Sequence, residues 1–402
     1  MQRSNHPSPP SPASPPPWGE KLNEAQRAAV EHAEGPLLVI AGAGSGKTRT
    51  LTHRVARLVA EGVPPAAILL LTFTRKASQE MLQRAARLLD QRCERVSGGT
   101  FHSFANLKLR QYAAHVGLAP DFAILDRTDA EALIGMLRKE HDGAPRQRPL
   151  PRKGTLADIF SRAANKVQPV EDVVFCDYSH LSDQAEAIVA LLEGYTRRKR
   201  EHHFLDYDDL LVWFQRLLRD CPEVRRRIAG SYRYVMVDEY QDTNQIQADI
   251  LYLLTDGNRN IMVVGDDSQS IYAFRGANFR NIIDFPKIFP GARVIGLEEN
   301  YRSTQPILNL TNIVIERARE KYSKHLFTRR PGGFPPELVE AEDENTQSVF
   351  VVEQIRKLVA RGTPLEEIAV LFRAGFHSYD LEIELARQGI PFIKVGGFKF
   401  TD

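Results

Sequence analysis

The chain has 402 residues, 43% of them hydrophobic, and its 53 basic and 51 acidic side chains leave a net charge of +2. That length exceeds what one hydrophobic core holds, about 250 to 300 residues, so two or three domains are expected. No run approaches the roughly 20 apolar residues of a bilayer crossing and the first twenty residues carry no apolar secretory segment, which gives a cytoplasmic address by default; the small net charge excludes a histone-like mode of DNA binding but leaves room for a local basic groove.

In chain order, residues 1–18 are mostly proline and serine, a composition that builds no core, and they read as a disordered tail. A helix-like stretch, Glu24 to Glu31, leads into the apolar run Leu37-Leu38-Val39-Ile40, short and continuous like a buried parallel strand. A glycine-rich loop follows, then helical spacing from Thr48 to Ala60, a second buried strand at Ile68 to Leu71, and a helix from about Lys76 to Asp90. That order is the grammar of a parallel α/β sheet. Between 97 and 195 helix-like segments are separated by proline and glycine breaks, with a polar, proline-rich loop at 141–154, so a mainly helical insertion is expected. Sheet grammar returns at Tyr234 to Val237, Ile261 to Val264 and Val294 to Leu297. Beyond these come helices near Pro306 to Arg319, Thr346 to Ala360 and Ser378 to Gln388, with strand-like runs at Ile368 to Phe372 and Pro391 to Val395. The three cysteines, Cys93, Cys176 and Cys221, lie far apart and support neither a zinc site nor a disulfide framework. The basic runs Arg197-Arg198-Lys199-Arg200 and Arg225-Arg226-Arg227 read as solvated helix surface and name no partner.

Chemistry concentrates at strand ends. The loop Gly42-Ala43-Gly44-Ser45-Gly46-Lys47-Thr48 sits between a buried strand and a helix. Its glycines let backbone amides face a β-phosphate, the helix start adds its positive end, Lys47 neutralises phosphate charge, and the Thr48 hydroxyl can bind Mg²⁺. Asp238 and Glu239 follow the strand Tyr234 to Val237. Asp238 is placed to hold Mg²⁺ through water, and Glu239 to orient and deprotonate the attacking water. After Ile261 to Val264 comes Gly265-Asp266-Asp267-Ser268-Gln269, where Gln269 can reach a γ-phosphate or serve as an ordinary polar turn residue. Asp206 and Asp209, three apart on one side of a helix, could suggest a metal pair; a structural or coupling role is preferred, since the carboxylates for chemistry are already assigned.

Together with the loop, the strings Thr72-Phe73-Thr74-Arg75-Lys76-Ala77, Thr100-Phe101-His102-Ser103-Phe104, Asp238-Glu239-Tyr240-Gln241-Asp242-Thr243-Asn244, Gly265 to Ala277 and Glu299-Asn300-Tyr301-Arg302-Ser303 resemble, in order, the motifs of superfamily 1 DNA helicases of the UvrD/PcrA/Rep type, from about residue 20 to 402. The fold implied is α/β: a RecA-like P-loop NTPase motor core with a helical insertion, followed by part of a second RecA-like unit. The domains implied are a first motor segment at 19–96, the insertion at 97–195, a second motor segment at 196–292 and a partial second unit at 293–402.

The resemblance also implies roles. Leu22, Asn23 and Gln26 look like the segment that reads adenine, which makes ATP, with Mg²⁺, the nucleotide. Arg49 and Tyr301 resemble base-packing residues, and Arg302 a γ-phosphate arginine contributed from the far side of a cleft, across a domain boundary. Single-stranded DNA is expected across the top of the α/β units, stacked on Phe73, Tyr272 and Phe274, aromatics in loops immediately after strands. Thr74, Arg75 and His102 resemble groups that hold bases or backbone, Asn278 is a further candidate, and Arg275 would connect the DNA track to the nucleotide cleft.

Two departures stand out, Phe274 where the family usually has tryptophan and Ser268 in place of an acid. The family's later motifs, including a second arginine finger, do not occur before Asp402, and the expectation is an amino-terminal portion of a longer helicase, with a naturally short protein as the other reading. The implied function is ATP-dependent 3′ to 5′ unwinding or translocation on single-stranded DNA and duplex junctions, in DNA repair and alongside possible repair proteins, with weak activity in this chain alone and no membrane partner. The alternatives are the motor portion of a nuclease-coupled helicase and a non-motor protein that binds DNA in its ATP state.

Overall fold

The computed structural model describes residues 22–141, 149–273 and 276–395. The Pro/Ser-rich start, the centre of the 141–154 loop, Phe274 with Arg275, and the last residues lie outside that range. The chain divides into two compact units, Met1–Phe334 and Pro335–Asp402.

The first unit is organised by a parallel sheet. In chain order the strands of this unit are β1 (Leu37–Ala41), β2 (Ile68–Thr72), β3 (Ser97–Thr100), β4 (Ala123–Ile124), β5 (Phe204–Leu205), β6 (Tyr234–Val237), β7 (Ile261–Gly265) and β8 (Arg293–Leu297). Six of them form one sheet in the order β3-β2-β6-β7-β1-β8, every pairing parallel. Side chains alternate across it. Leu38, Ile40, Leu69, Leu71, Val235, Val237, Ile261 and Val263 join one core, whereas Leu37, Val39, Ile68, Leu70, Tyr234, Met236, Met262 and Val264 join the other. Both faces are covered by helices, so neither set meets water, and the strands read as unbroken apolar runs instead of alternating ones. Glu24–Glu31, Lys47–Ala60 and Arg75–Leu88 cover the second face; Phe101–Tyr112, Tyr207–Asp220 and Gln245–Thr255 cover the first.

The edge strand β3 is absent from the sequence reading. Its residues, Ser-Gly-Gly-Thr, carry no apolar signal, and a Cβ at Gly98 would lie 2.7 Å from Ser78 Oγ and 2.9 Å from Leu82 Cδ1, so a larger residue there would displace those two side chains of the helix Arg75–Leu88. The expected insertion at 97–195 therefore divides. Phe101–Tyr112 belongs to the sheet core, with Phe104 edge-on to Phe214 and Tyr232 at 5.6 Å. The helical layer proper begins after β4 and ends at β5, and these two short strands pair with each other as its neck. Arg127–His141, Lys153–Lys166, Val170–Asp177 and Ala185–Glu201 enclose a separate core around Ile134, Leu156, Ile159, Val174, Ile188 and Leu191.

Asp206 and Asp209 sit just after the neck, and the cation they hold is Lys199. Its Nζ lies 2.6 Å from Asp206 Oδ2 and 2.5 Å from Asp209 Oδ2, with the lysine side chain 7% exposed. Burial disfavours the ammonium, but the two carboxylates outweigh it and keep it charged. One member of the basic run expected as solvated surface is thus an internal anchor. Lys199→Met leaves two buried carboxylates unpaired and is expected to destabilise the helical layer by about 3 to 5 kcal/mol. Urea unfolding checks this, and a change below 1 kcal/mol would remove the anchoring role.

Arg293–Leu297, the strand at the expected start of the second unit, pairs with β1 over five residues as the other edge of the first sheet. The segment through Phe334 stays with the first unit. The second unit packs Glu344–Ala360 against Tyr379–Arg387 through Val352, Ile355, Leu381 and Leu385. Within its described residues, 368–372 and 391–395 form no strands, contrary to the sequence reading. A parallel strand needs a neighbour for its ladder and these runs have none; Leu371 and Ile393 are 92% and 88% exposed. Among the described residues, no helix is long and apolar enough to cross a membrane.

Candidate active site

The phosphate loop leaves β1 and enters the helix Lys47–Ala60 through Gly46, which takes a left-handed conformation at φ +90°. Gly44 is left-handed as well, at φ +80°. Both positions exclude a side chain for a second reason: a Cβ on Gly44 would lie 2.6 Å from Arg302 Cβ, and one on Gly46 2.6 Å from Gln26 Nε2. Ser45 Oγ donates to Gly42 O at 2.7 Å and holds the curl from within. Thr48 and Arg49 follow in the first turn of the helix.

Lys47 Nζ meets Glu239 Oε2 at 2.7 Å. The two residues come from loops at the carboxyl edge of the sheet, after β1 and β6, which flank β7. Glu239 adopts φ +49°, a conformation rare outside glycine, and is held there by Gln241, whose Nε2 donates to its Oε2 at 2.9 Å. Gln241 Oε1 accepts from the Asp266 backbone N–H at 2.9 Å, tying the end of β6 to the end of β7. Asp238 is buried, and its Oδ1 has no hydrogen-bond partner. Burial, reinforced by the Glu239 charge, pushes its carboxyl up to about 7. An orphaned carboxylate oxygen beside a phosphate loop fits the donor that a hard divalent cation requires. Asp242, with Oδ1 also unpartnered, is raised to about 6 by burial and then by Glu239. Gln269 Nε2 donates to Asp266 Oδ2 at 2.5 Å.

Arg302 lies on the loop after β8, within the first compact unit. Its loop is fastened to the phosphate loop inside the same unit. Asn300 Nδ2 donates to Ala43 O at 2.6 Å, Asn300 Oδ1 accepts from Arg302 N at 2.9 Å and Ser303 N at 2.7 Å, and Tyr301 N donates to Gly44 O at 2.9 Å. One asparagine side chain thus joins the two loops, because its amide supplies both a donor and an acceptor. Asn300 lies within the string Glu299–Ser303, yet no sequence pattern singles it out for this.

The residues expected on the adenine side lie beside the loop as well. Asn23 caps the helix Glu24–Glu31 in a reciprocal box with Gln26, and its Nδ2 reaches Tyr301 OH at 3.0 Å and Glu299 Oε2 at 3.2 Å. Gln26 is fully buried, with Nε2 on Ser45 O at 3.0 Å and Oε1 on Asn23 N at 3.2 Å. Leu22 is buried beside them.

Of the candidates for nucleic-acid contact, the described Phe73, Thr74, Arg75, His102 and Tyr272 lie after β2, β3 and β7, at the carboxyl edge where ligands of open parallel sheets bind. Phe73 follows β2 and is 45% exposed; Tyr272 follows β7; their ring centroids are 5.4 Å apart with the planes 30° apart. Thr74 Oγ1 caps the helix Arg75–Leu88 by accepting from Ala77 N at 3.1 Å, so its side chain is spent locally, while Arg75 is exposed. His102, at the start of the helix after β3, stands edge-on to exposed Tyr207 at 6.1 Å, and burial lowers its pKa. Asn278 is turned inward: Nδ2 donates to Gln245 Oε1 at 3.3 Å and Oδ1 caps Arg280 N at 3.1 Å. Phe274 and Arg275 lie outside the described residues. The sequence reading gives Tyr207 no role.

Comparison with known proteins adds a family. Residues 22–290 match the model of the UvrD/REP helicase N-terminal domain, and residues 295–402 that of the UvrD-like helicase C-terminal domain. Among curated proteins, the chain is 37% identical over 386 residues to the ATP-dependent DNA helicase PcrA of Staphylococcus epidermidis, covering 95% of this chain and 52% of the relative. The PcrA of Staphylococcus aureus is 37% identical over 383 residues, again covering 95% and 52%. The chain thus spans about half the length of the curated relatives it matches.

Proposed function

The chain belongs to the UvrD/Rep helicase family, with the RecA-like α/β fold and helical insertion of that family, and from that premise we propose that it binds and hydrolyses ATP with Mg²⁺ as part of a motor that moves 3′ to 5′ along single-stranded DNA and opens duplex junctions. The observation that carries the ATP part of the reading is the convergence of Lys47, Asp238, Glu239 and Gln269 at one sheet edge, with the Arg302 loop fastened to the phosphate loop beside them.

The Lys47 ammonium is held by Glu239, and a triphosphate competes for it. When Lys47 moves to phosphate, the Glu239 carboxylate is released to accept a proton from water. Asp238 and the Thr48 hydroxyl would hold Mg²⁺, which when bound neutralises phosphate charge. Arg302 stabilises charge on the transferred group, and Gln269 orients the γ-phosphate or its water. Asn23 and Tyr301 line the base side with Arg49. The exposed Phe73 beside Tyr272 supports base stacking one loop away from the nucleotide, so that loop movements on hydrolysis reach the bases. DNA repair, and repair proteins as partners, are the setting carried over from the resemblance.

The test is binding of a fluorescent ATP analogue with Mg²⁺, measured together with ATP turnover with and without single-stranded DNA. Lys47→Ala is expected to weaken triphosphate binding at least tenfold, as loss of a hydrogen bond between charged groups predicts. Unchanged binding in Lys47→Ala would overturn the ATP reading, and turnover indifferent to DNA would overturn the motor reading.

A further inference from the structure

Beyond the helix Gln305–Glu316, the chain runs as a strap across two parts of the site, and one lysine in it carries no role so far. Lys324 Nζ is ion-paired with both Asp266 Oδ1 and Asp267 Oδ1, and the three side chains are only 2 to 5% exposed. The strap is pinned on either side of that contact. Tyr322 N donates to Asp267 Oδ2 at 3.2 Å, and Tyr322 OH lies 3.2 and 3.1 Å from the carbonyls of Ile282 and Ile283. His325 N donates to Glu298 Oε1 at 2.8 Å, Asn312 brackets the backbone of Leu326, and Phe327 pairs with Glu298 and Asn300. Leu326 itself lies so close to Gly42 that a Cβ there would come within 2.8 Å of its methyl groups.

Asp266 is the shared element. One carboxylate oxygen takes Lys324 and Ser268 N; the other takes Gln269 Nε2; and its backbone N–H is held by Gln241, which also holds Glu239. A buried carboxylate of this kind keeps its place only while its counter-charge does, since an unpaired buried charge is expensive and relaxes by moving or by taking up a proton. The Gln269 amide, on a three-residue turn with no side-chain support other than Asp266 in the described structure, inherits that position.

We propose that Lys324 is a positioning residue which, through Asp266, fixes the Gln269 amide where it meets the γ-phosphate, and that the strap Tyr322–Phe327 thereby links that sensor turn to the phosphate loop at Gly42. The assignment rests on the ATP reading above. Lys324 touches no substrate in this scheme. Its effect is confined to ligands that possess a third phosphate, because Gln269 has nothing to contact on a diphosphate.

The test compares fluorescent ADP with a fluorescent non-hydrolysable ATP analogue, each with Mg²⁺, on the full 402-residue chain. In Lys324→Met the triphosphate affinity is expected to fall about tenfold, the scale of one hydrogen bond to a charged group, with ADP affinity held within about twofold on the same scale. Gln269→Ala is expected to match that loss, the double variant to add nothing further, and Lys324→Arg to restore most of the affinity. Should Lys324→Met fail to fold, Lys324→Met/Asp267→Asn, which leaves one unpaired carboxylate instead of two, is read in the same way. Equal losses for ADP and triphosphate, or losses that add in the double variant, would overturn the positioning role. An unsubstituted chain that binds neither nucleotide would instead overturn the ATP reading beneath it.

Discussion

Arg302→Ala is expected to slow single-turnover ATP hydrolysis by about 10³ to 10⁵-fold, the range for an arginine that stabilises a transferring phosphoryl group, while ADP affinity and thermal stability stay nearly unchanged. The separation follows from how the residue is held. Its loop is fastened by main-chain groups and by Asn300: Tyr301 N to Gly44 O, Arg302 N and Ser303 N to Asn300 Oδ1, and Asn300 Nδ2 to Ala43 O. Alanine keeps every one of these bonds and removes only the guanidinium. Arg302→Lys should recover little, because a point charge lacks the planar fork that meets phosphate oxygens in pairs. Asn300→Ala should reproduce part of the loss by loosening the loop with the arginine intact. Rapid-quench measurement of phosphate release decides the matter, and a decrease under tenfold for Arg302→Ala would leave the residue as surface support for the phosphate loop.

For Glu239→Gln, the expected result is a fall in hydrolysis of about 10² to 10⁴-fold, the usual share of a general base, accompanied by equal or tighter ATP binding. Lys47 is paired with Glu239 at 2.7 Å, so the carboxylate competes with phosphate for the lysine. The amide ends that competition but still accepts from Gln241 Nε2, so the left-handed backbone at residue 239 keeps its support. A second consequence concerns Asp238. Its carboxyl is held up to about 7 by burial first and by the Glu239 charge second. Removing that charge lets Asp238 ionise at lower pH, so the pH below which Mg²⁺-dependent nucleotide binding is lost should move downward in the variant. Titration of binding from pH 5 to 8 measures it. Weaker ATP binding together with normal turnover would show that Glu239 neither competes for Lys47 nor handles the proton.

The interior of the fold was legible wherever burial leaves a periodic signature. Leu37 to Ile40, Ile68 to Leu71, Tyr234 to Val237 and Ile261 to Val264 are apolar without interruption because both sheet faces are covered, and each forms a strand within one residue of its expected bounds. The first segment's helices were equally plain from their spacing. What escaped was structure with no apolar signature. The glycine strand Ser97–Thr100 is set by close approach to Leu82 and Ser78, and the two-residue neck strands are too short for periodicity to register. The runs 368–372 and 391–395 erred in the opposite direction: apolar composition suggested strands, but a strand exists only with a partner.

The site divides along the same line. Spacing on a strand–loop–helix frame was enough to nominate Lys47, Thr48, Asp238 and Glu239 as candidates, because phosphate binding and water activation call for those residue types at the ends of buried strands, and the order of motifs was enough to place the chain in its family. Which partner each side chain holds was beyond it. Lys47 on Glu239, Gln26 on Ser45, Asn300 between two loops, and Lys324 on Asp266 are pairs 19 to 257 residues apart in sequence. Each depends on a distance and an angle through space that no local pattern encodes, and only the packed sheet, by bringing the ends of its strands to one edge, decides them.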